Sequence, residues 1–234
     1  MNNTIILYAY KDLHNNLIEF INNQFDNKYD LLIICNGCKL SKEIKKLLIK
    51  KNIDYKILVI NKHNNEYPEK AYGSWKEGLL SLEREYDYYY FFKNGNNNKY
   101  ILPNDKNWIN LYNTILNDND YIIPIFHLRK KNDRYKNKIC EMIDNKNTFE
   151  FIPIITYIGC NYKNLYNLVT KFTIKYYHKP QFTIGKYMIE NHKKVYISDL
   201  KIVIYKKLNY KKIKTQLKIL NKKKKTYIIN KNKL

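Results

Sequence analysis

The sequence predicts an α/β fold built on a mostly parallel sheet. Three observations predict it. The first 92 residues hold four short, continuously apolar runs, a helix-periodic segment lies between each pair, and turn residues stand at the boundaries. Apolar runs without alternation suit strands covered on both faces, and crossover helices supply that cover.

Thr4–Tyr10 reads as the first buried strand. Asp12 offers an N-cap, and Leu13, Leu17, Ile18, Phe20 and Ile21 follow at helical spacing. Residues 30–35 form a second strand, stopped by Asn36-Gly37. Residues 41–51 read as a helix with Ser41 as N-cap and Ile44, Leu47 and Leu48 facing inward. Tyr55–Ile60 is a third strand, 71–84 a helix opened by Tyr72-Gly73-Ser74-Trp75, and 87–92 a fourth strand ended by Lys93-Asn94-Gly95. The order is βαβαβαβ. Ligands of such sheets bind beyond the carboxyl ends of the strands. Here those ends fall at Tyr8–Tyr10, Asn36-Gly37, Asn61 and residues 93–98.

The second half predicts a helix over 107–116, strands over 121–127 and 149–157, a helix over 162–176, a short helix over 183–191 and a strand over 195–197. Ile152-Pro153 marks an edge or bend. Beyond residue 207 no core is visible, and 209–234 reads as a tail, partly helical at most. The expected organisation is one domain over 1–207 and a Lys-rich tail over 208–234.

The chain carries 43 Lys+Arg against 21 Asp+Glu, a formal charge of +22. Residues 205–234 contain 12 Lys and no acid, so over half of the net charge lies there. The excess points to a membrane surface or nucleic acid as partner of the tail. Lys, Asn, Ile and Tyr share A/T-rich codons, so base composition accounts for part of the bias. No zinc-finger spacing or RNA-binding motif accompanies it. No apolar run reaches the ~18–20 residues of a membrane span, and the start lacks the pattern of a secretory leader. The expected location is the cytoplasm. Cys35-Asn36-Gly37-Cys38 follows a strand and opens a helix, as redox motifs do. The nearest Ile-Pro, at 123–124, lies too far on for a thioredoxin-like domain.

The stretch Tyr72-Gly73-Ser74-Trp75-Lys76-Glu77-Gly78-Leu79, the run from Tyr86 to Asn94, then Ile101-Leu102-Pro103 and Trp108 resemble GT-A, Rossmann-like nucleotide-diphospho-sugar transferases. The likeness is to small family-2-like glycosyltransferases of bacteria and large DNA viruses, and it spans about 5–205. There a "GAW…GL" helix precedes a "YDYxxFINDSVRGPFLP" strand and loop.

The resemblance implies a glycosyltransferase moving a sugar from a nucleotide-sugar donor, such as a UDP- or GDP-sugar, to a glycan, protein or lipid-linked acceptor. It implies base contacts at Tyr8, Ala9 and Tyr10, and diphosphate contacts at Lys70, Tyr72, Gly73, Lys76, Asn94 and Asn96. Enzymes of this type hold Mg²⁺ or Mn²⁺ on an Asp-x-Asp pair. Gly95, flanked by Asn94 and Asn96, stands there instead, which makes the motif degenerate. An Asn amide oxygen ligates a hard cation but brings no charge. Where relatives carry the catalytic Glu, this chain has Gln181, and Asp105 is the nearby carboxylate. Two readings follow. In one, the transferase is metal-independent, with Lys70, Lys76, Lys93 and Lys99 carrying the positive charge. In the other, the chain is an inactive binding module. Trp75 and Trp108 suit helix packing, and Trp108 also suits an acceptor wall.

Overall fold

The computed structural model describes residues 2–10, 14–23, 28–60, 70–93, 107–123, 125–130, 149–154, 157–172, 183–185, 187–188, 191, 193–197, 203–204 and 226–228. The first half follows the expected order: β1 (Thr4–Tyr10), α1 (His14–Asn23), β2 (Asp30–Asn36), α2 (Lys42–Lys50), β3 (Tyr55–Ile60), α3 (Lys70–Leu80) and β4 (Tyr88–Lys93). The second half adds α4 (Trp108–Asp118), β5 (Tyr121–Ile123), β6 (Ile125–Lys130), β7 (Phe149–Ile154), β8 (Tyr157–Asn161), α5 (Tyr162–Val169), β9 (Lys194–Ile197), β10 (Val203–Ile204) and β11 (Thr226–Ile228).

The main sheet runs β11-β9-β5-β8-β4-β1-β2-β3. β1 pairs in parallel with β2 on one side and β4 on the other, and β2 pairs in parallel with β3. β8 lies antiparallel between β4 and β5, and β9 returns to the parallel direction beside β5. A small sheet of order β10-β6-β7 stands apart. This is the mostly parallel α/β architecture expected from the sequence, flanked by helices on both faces.

Strand alternation sorts the core into two layers. Ile5, Leu7, Ala9 and Phe91 pack toward Trp75 of α3 and Leu168 of α5. Ile6, Tyr8, Tyr10, Tyr90 and Phe92 pack toward Leu17 of α1, Ile44 of α2 and Trp108 of α4. Burial of β1 at every position explains why its sequence shows no polar alternation. α3 lies close on β1 and β2 because Gly78 faces them: a Cβ there would meet Ile34 Cδ1 and stand 3.1 Å from Leu7 Cδ2.

Five expectations are corrected. The helix expected over 71–84 ends at Leu80. Ser81 turns its hydroxyl back to the Gly78 carbonyl (2.8 Å), and Arg84 leaves the helix line to bond Asp30 (2.7 Å) and the Asn2 carbonyl (2.9 Å). Burial alone would raise the Asp30 pKa, but hydrogen bonds from Tyr86, Arg84 and Asn2 outweigh it and hold the carboxyl below its usual range. The strand expected over 121–127 is two strands, β5 and β6, in different sheets. They divide at Pro124, which has no N–H to donate. The strand expected over 149–157 likewise divides into β7 and β8. The helix expected over 162–176 ends at Val169, where the Thr170 hydroxyl bonds the Asn167 carbonyl (2.9 Å). Within the segment read as tail, β11 pairs antiparallel with β9.

Gly159 of β8 sits opposite Tyr90 of β4 and beside Ile122 of β5. A Cβ there would stand 2.6 Å from Tyr90 Cε1 and 2.9 Å from Cδ1. That ring cannot retreat, because Trp108 meets it edge-on at 5.5 Å and its hydroxyl bonds Asn113 (2.9 Å). Gly159→Ala should therefore destabilise the protein by about 1–3 kcal/mol, read as a lowered urea midpoint.

Candidate functional site

The parallel strands bring four carboxyl ends together: Tyr10 of β1, Asn36 of β2, Ile60 of β3 and Lys93 of β4. Their registers pair Tyr10 with Cys35, Ala9 with Lys93, and Asn36 with Ile60. The chain leaves β1 for β2 on one side and reaches β4 on the other, so strand order reverses at β1. A crevice opens beyond such a reversal.

The walls of this end are fixed by a few bonds. The Gly37 N–H donates to the Ile60 carbonyl at 2.8 Å, with Gly37 in the left-handed region at φ 66°. The Cys38 thiol donates to the Tyr10 carbonyl at 3.6 Å. The Trp75 indole N–H donates to the Phe92 carbonyl at 2.8 Å, which ties α3 to the carboxyl end of β4. The Lys93 ammonium stands 5.9 Å above the Tyr72 ring, and that ring meets Trp75 at 4.9 Å.

Several expected site residues gather here. Lys70 opens α3, and Tyr72 and Gly73 are buried in its first turns. Lys76 is half-buried. Tyr8, Ala9 and Tyr10 end β1, but their side chains are 3%, 6% and 2% exposed. Tyr8 lies parallel to Phe92 at 6.4 Å and touches Phe20 at 5.5 Å, and burial pushes its phenol pKa up. A base at this end would meet strand backbone rather than the Tyr8 face. Trp108 is a core residue, enclosed by Tyr29, Tyr90, Phe92 and Tyr112, and offers no wall to an acceptor. Asn94, Asn96, Asp105 and Gln181 lie outside the described residues. Among the described residues, no group of three or more His, Cys, Asp or Glu comes together to hold a metal ion.

The feature that the sequence reading missed is the Asn36 side chain. Both its Oδ1 and Nδ2 are buried, and neither has a hydrogen-bond partner. An orphaned buried polar group costs roughly 1–3 kcal/mol. The residue is placed at the mouth of the crevice by β2 and held there by the Gly37 bond. One donor and one acceptor side by side match the amide edge of a nucleobase. In the sequence, Asn36-Gly37 reads as a turn, and only its place at the end of a buried strand hints at more.

A concavity of about 620 Å³ lies at the opposite end of β4. Leu79, Leu82, Leu165 and Val169 line it, with Tyr162 and Tyr166 among the residues at its edge. Among the described residues, none of the expected site residues lines it.

No family model matches the chain, and no curated protein matches it. Solved structures do. Core-mannan synthase A (CmsA) from Aspergillus fumigatus, in its Mn/GDP form, matches at TM-score 0.46 and 10% identity, over 80% of this chain and 70% of that one. S. aureus TarS in complex with UDP-GlcNAc matches at TM-score 0.42 and 12% identity, over 89% and 60%. A 4-diphosphocytidyl-2C-methyl-D-erythritol synthase from Anaerococcus prevotii matches at TM-score 0.41 and 14% identity, over 94% and 99%. The fold assignment rests on the strand order itself.

Asn36→Leu separates a structural from a binding role. Replacing an orphaned amide by an apolar group of similar size should leave the unfolding free energy unchanged or raise it by about 1 kcal/mol. The same change should weaken nucleotide binding at least tenfold, measured by calorimetric titration.

Proposed function

We propose that this chain is a glycosyltransferase whose nucleotide-sugar donor lies across the carboxyl ends of β1, β2 and β4. The buried, unpartnered Asn36 amide at the strand-order reversal is the observation that carries the reading. It supplies a polar edge, one donor and one acceptor, that a ligand would satisfy. The Tyr72–Trp75 helix and the β4 strand, whose sequences resemble the GT-A enzymes, meet at this same place through the Trp75–Phe92 bond.

The base would pair with Asn36 and with the backbone at the end of β1. The diphosphate would then extend toward Lys93 and the start of α3, where Lys70 and Lys76 add positive charge. Asn94 and Asn96 follow Lys93 directly in the chain and would complete the diphosphate site. A divalent cation, when bound there, supplies charge neutralisation to the departing diphosphate. The lysines would supply positive charge to the same oxygens. Asp105 is the carboxylate proposed to take the proton from the acceptor hydroxyl, and Gln181 is proposed to orient the acceptor, since an amide takes no proton at neutral pH. The proposed organisation takes 1–207 as the body of the transferase domain, with the Lys-rich 208–234 segment contacting an anionic partner and returning β11 to the edge of the main sheet. A cytoplasmic location is part of the proposal. No helix among the described residues is long and apolar enough to cross a membrane.

The absence of an acid at Gly95 and at Gln181 favours a second reading, a binding module that kept the fold without the reaction. One experiment separates the two. The protein is melted with UDP-, GDP-, CMP- and dTDP-sugars in Mg²⁺, Mn²⁺ or EDTA, and nucleotide release is followed in parallel. Saturation at about 100 times the dissociation constant adds roughly 2.7 kcal/mol, a shift of several degrees for a chain of this size. The proposal predicts such a shift with one nucleotide class, together with enzymatic release of the nucleotide. A shift without release would establish the binding module. No shift with any nucleotide would refute the donor site.

A further inference from the structure

The lysines of the described helices are not spread evenly. α1, α4 and α5 carry one lysine between them, Lys163, and α3 carries two in eleven residues, whereas α2 carries four in nine. Codon bias would distribute them. α2 buries Ile44 and Leu48 against the sheet, which turns Lys42, Lys45, Lys46 and Lys50 outward. At 100° per residue, Lys42, Lys45 and Lys46 fall on one stripe. Ile49 projects from the middle of that stripe and is 70% exposed. Lys39, just before the helix, extends the charge toward the crevice, and Glu43 is the one acid of the helix. None of the ion pairs among the described residues involves these lysines.

The geometry points to α2 as a docking face for an anionic lipid bilayer, with the lysines on headgroup phosphates and Ile49 inserted among the acyl chains. The exposed isoleucine decides between anionic partners. A nucleic-acid backbone offers an apolar side chain nothing, whereas interfacial helices gain from charge and apolar insertion together. Ser41 caps the start of α2 by accepting the Ile44 N–H at 3.2 Å, so the stripe is held rigidly on the helix that begins beside Asn36-Gly37. Docking by this face would bring the strand-end crevice alongside the membrane surface, within reach of a lipid-linked substrate. The inference does not depend on the proposed transferase activity, because vesicle binding needs no nucleotide sugar.

The test uses the full chain, so that its Lys-rich C-terminal residues are a constant background. Partition is measured by co-sedimentation with phosphatidylcholine vesicles, with and without 30 mol% phosphatidylserine. The combined variant Lys42→Ala/Lys45→Ala/Lys46→Ala should lose affinity for the anionic vesicles on the order of a hundredfold. Alanine favours helix, so its melt should match the parent's. Ile49→Ser, which changes no charge, should weaken binding roughly fivefold while the salt dependence stays the same. Ile49→Trp places an indole outside the two buried ones, and its emission should shift to the blue and be quenched by brominated lipid. Three outcomes would overturn the inference. One is unchanged partition of the lysine variant, which would assign binding to the C-terminal lysines. Another is an indole at position 49 that stays in water. The third is loss of binding to a single-stranded oligonucleotide by the lysine variant while vesicle binding persists.

Discussion

The hydrogen bond from the Trp75 indole to the Phe92 carbonyl holds the candidate site in register. Trp75 is fully buried, and it meets Tyr72, Phe91 and Phe172 at 4.9–5.6 Å. Those contacts fix the ring, and the ring fixes the last carbonyls of β4. A phenylalanine would fill much of the same space but could not donate. Gly78, one turn further along α3, then lets the helix lie directly on β1 and β2. The start of α3, the end of β4 and the end of β2 are thus placed by one rigid arrangement.

The core is built from tyrosine to an unusual degree, and asparagine makes this workable. A buried phenol needs a partner. Tyr90 and Tyr88 bond Asn113 and Asn117 of α4, Tyr86 bonds Asp30, and the Tyr112 and Tyr157 hydroxyls face each other at 3.3 Å. Asn113 passes the connection on to Thr4, so α4 is tied to both β4 and β1. A composition rich in tyrosine and asparagine is used here as a set of matched donors and acceptors. Against that background, an Asn left without a partner at the mouth of the crevice stands out.

Much of the first half was legible because its strands are apolar at every position and its caps are local. Ser41 caps α2 as its place before Ile44 and Leu48 indicates. β1 and β3 have the ends read from the sequence. The second half was less legible for physical reasons. β5 with β6, and β7 with β8, are each a continuous apolar stretch whose two parts serve different sheets, and periodicity carries no information about sheet membership. β8 runs antiparallel in a mostly parallel sheet, which local sequence does not reveal. β11 gains its partner from strand pairing at the sheet edge rather than from a hydrophobic pattern. At the candidate site, Tyr72 and Lys93 stand within the stretches that resemble the GT-A enzymes, and Lys70 lies just before the first of them. The Asn36 amide was not, because an orphaned group is defined by what surrounds it in space.

The most direct test of this account is where a nucleotide binds. The Trp75 indole N–H and the Asn36 side-chain amide both give resolvable signals in a nitrogen-15 correlation spectrum. Titration with the stabilising nucleotide should move both signals along saturable curves with one dissociation constant. Saturable shifts confined to the groove between α3 and α5, with Trp75 and Asn36 unmoved, would contradict the assignment of the site to the strand ends.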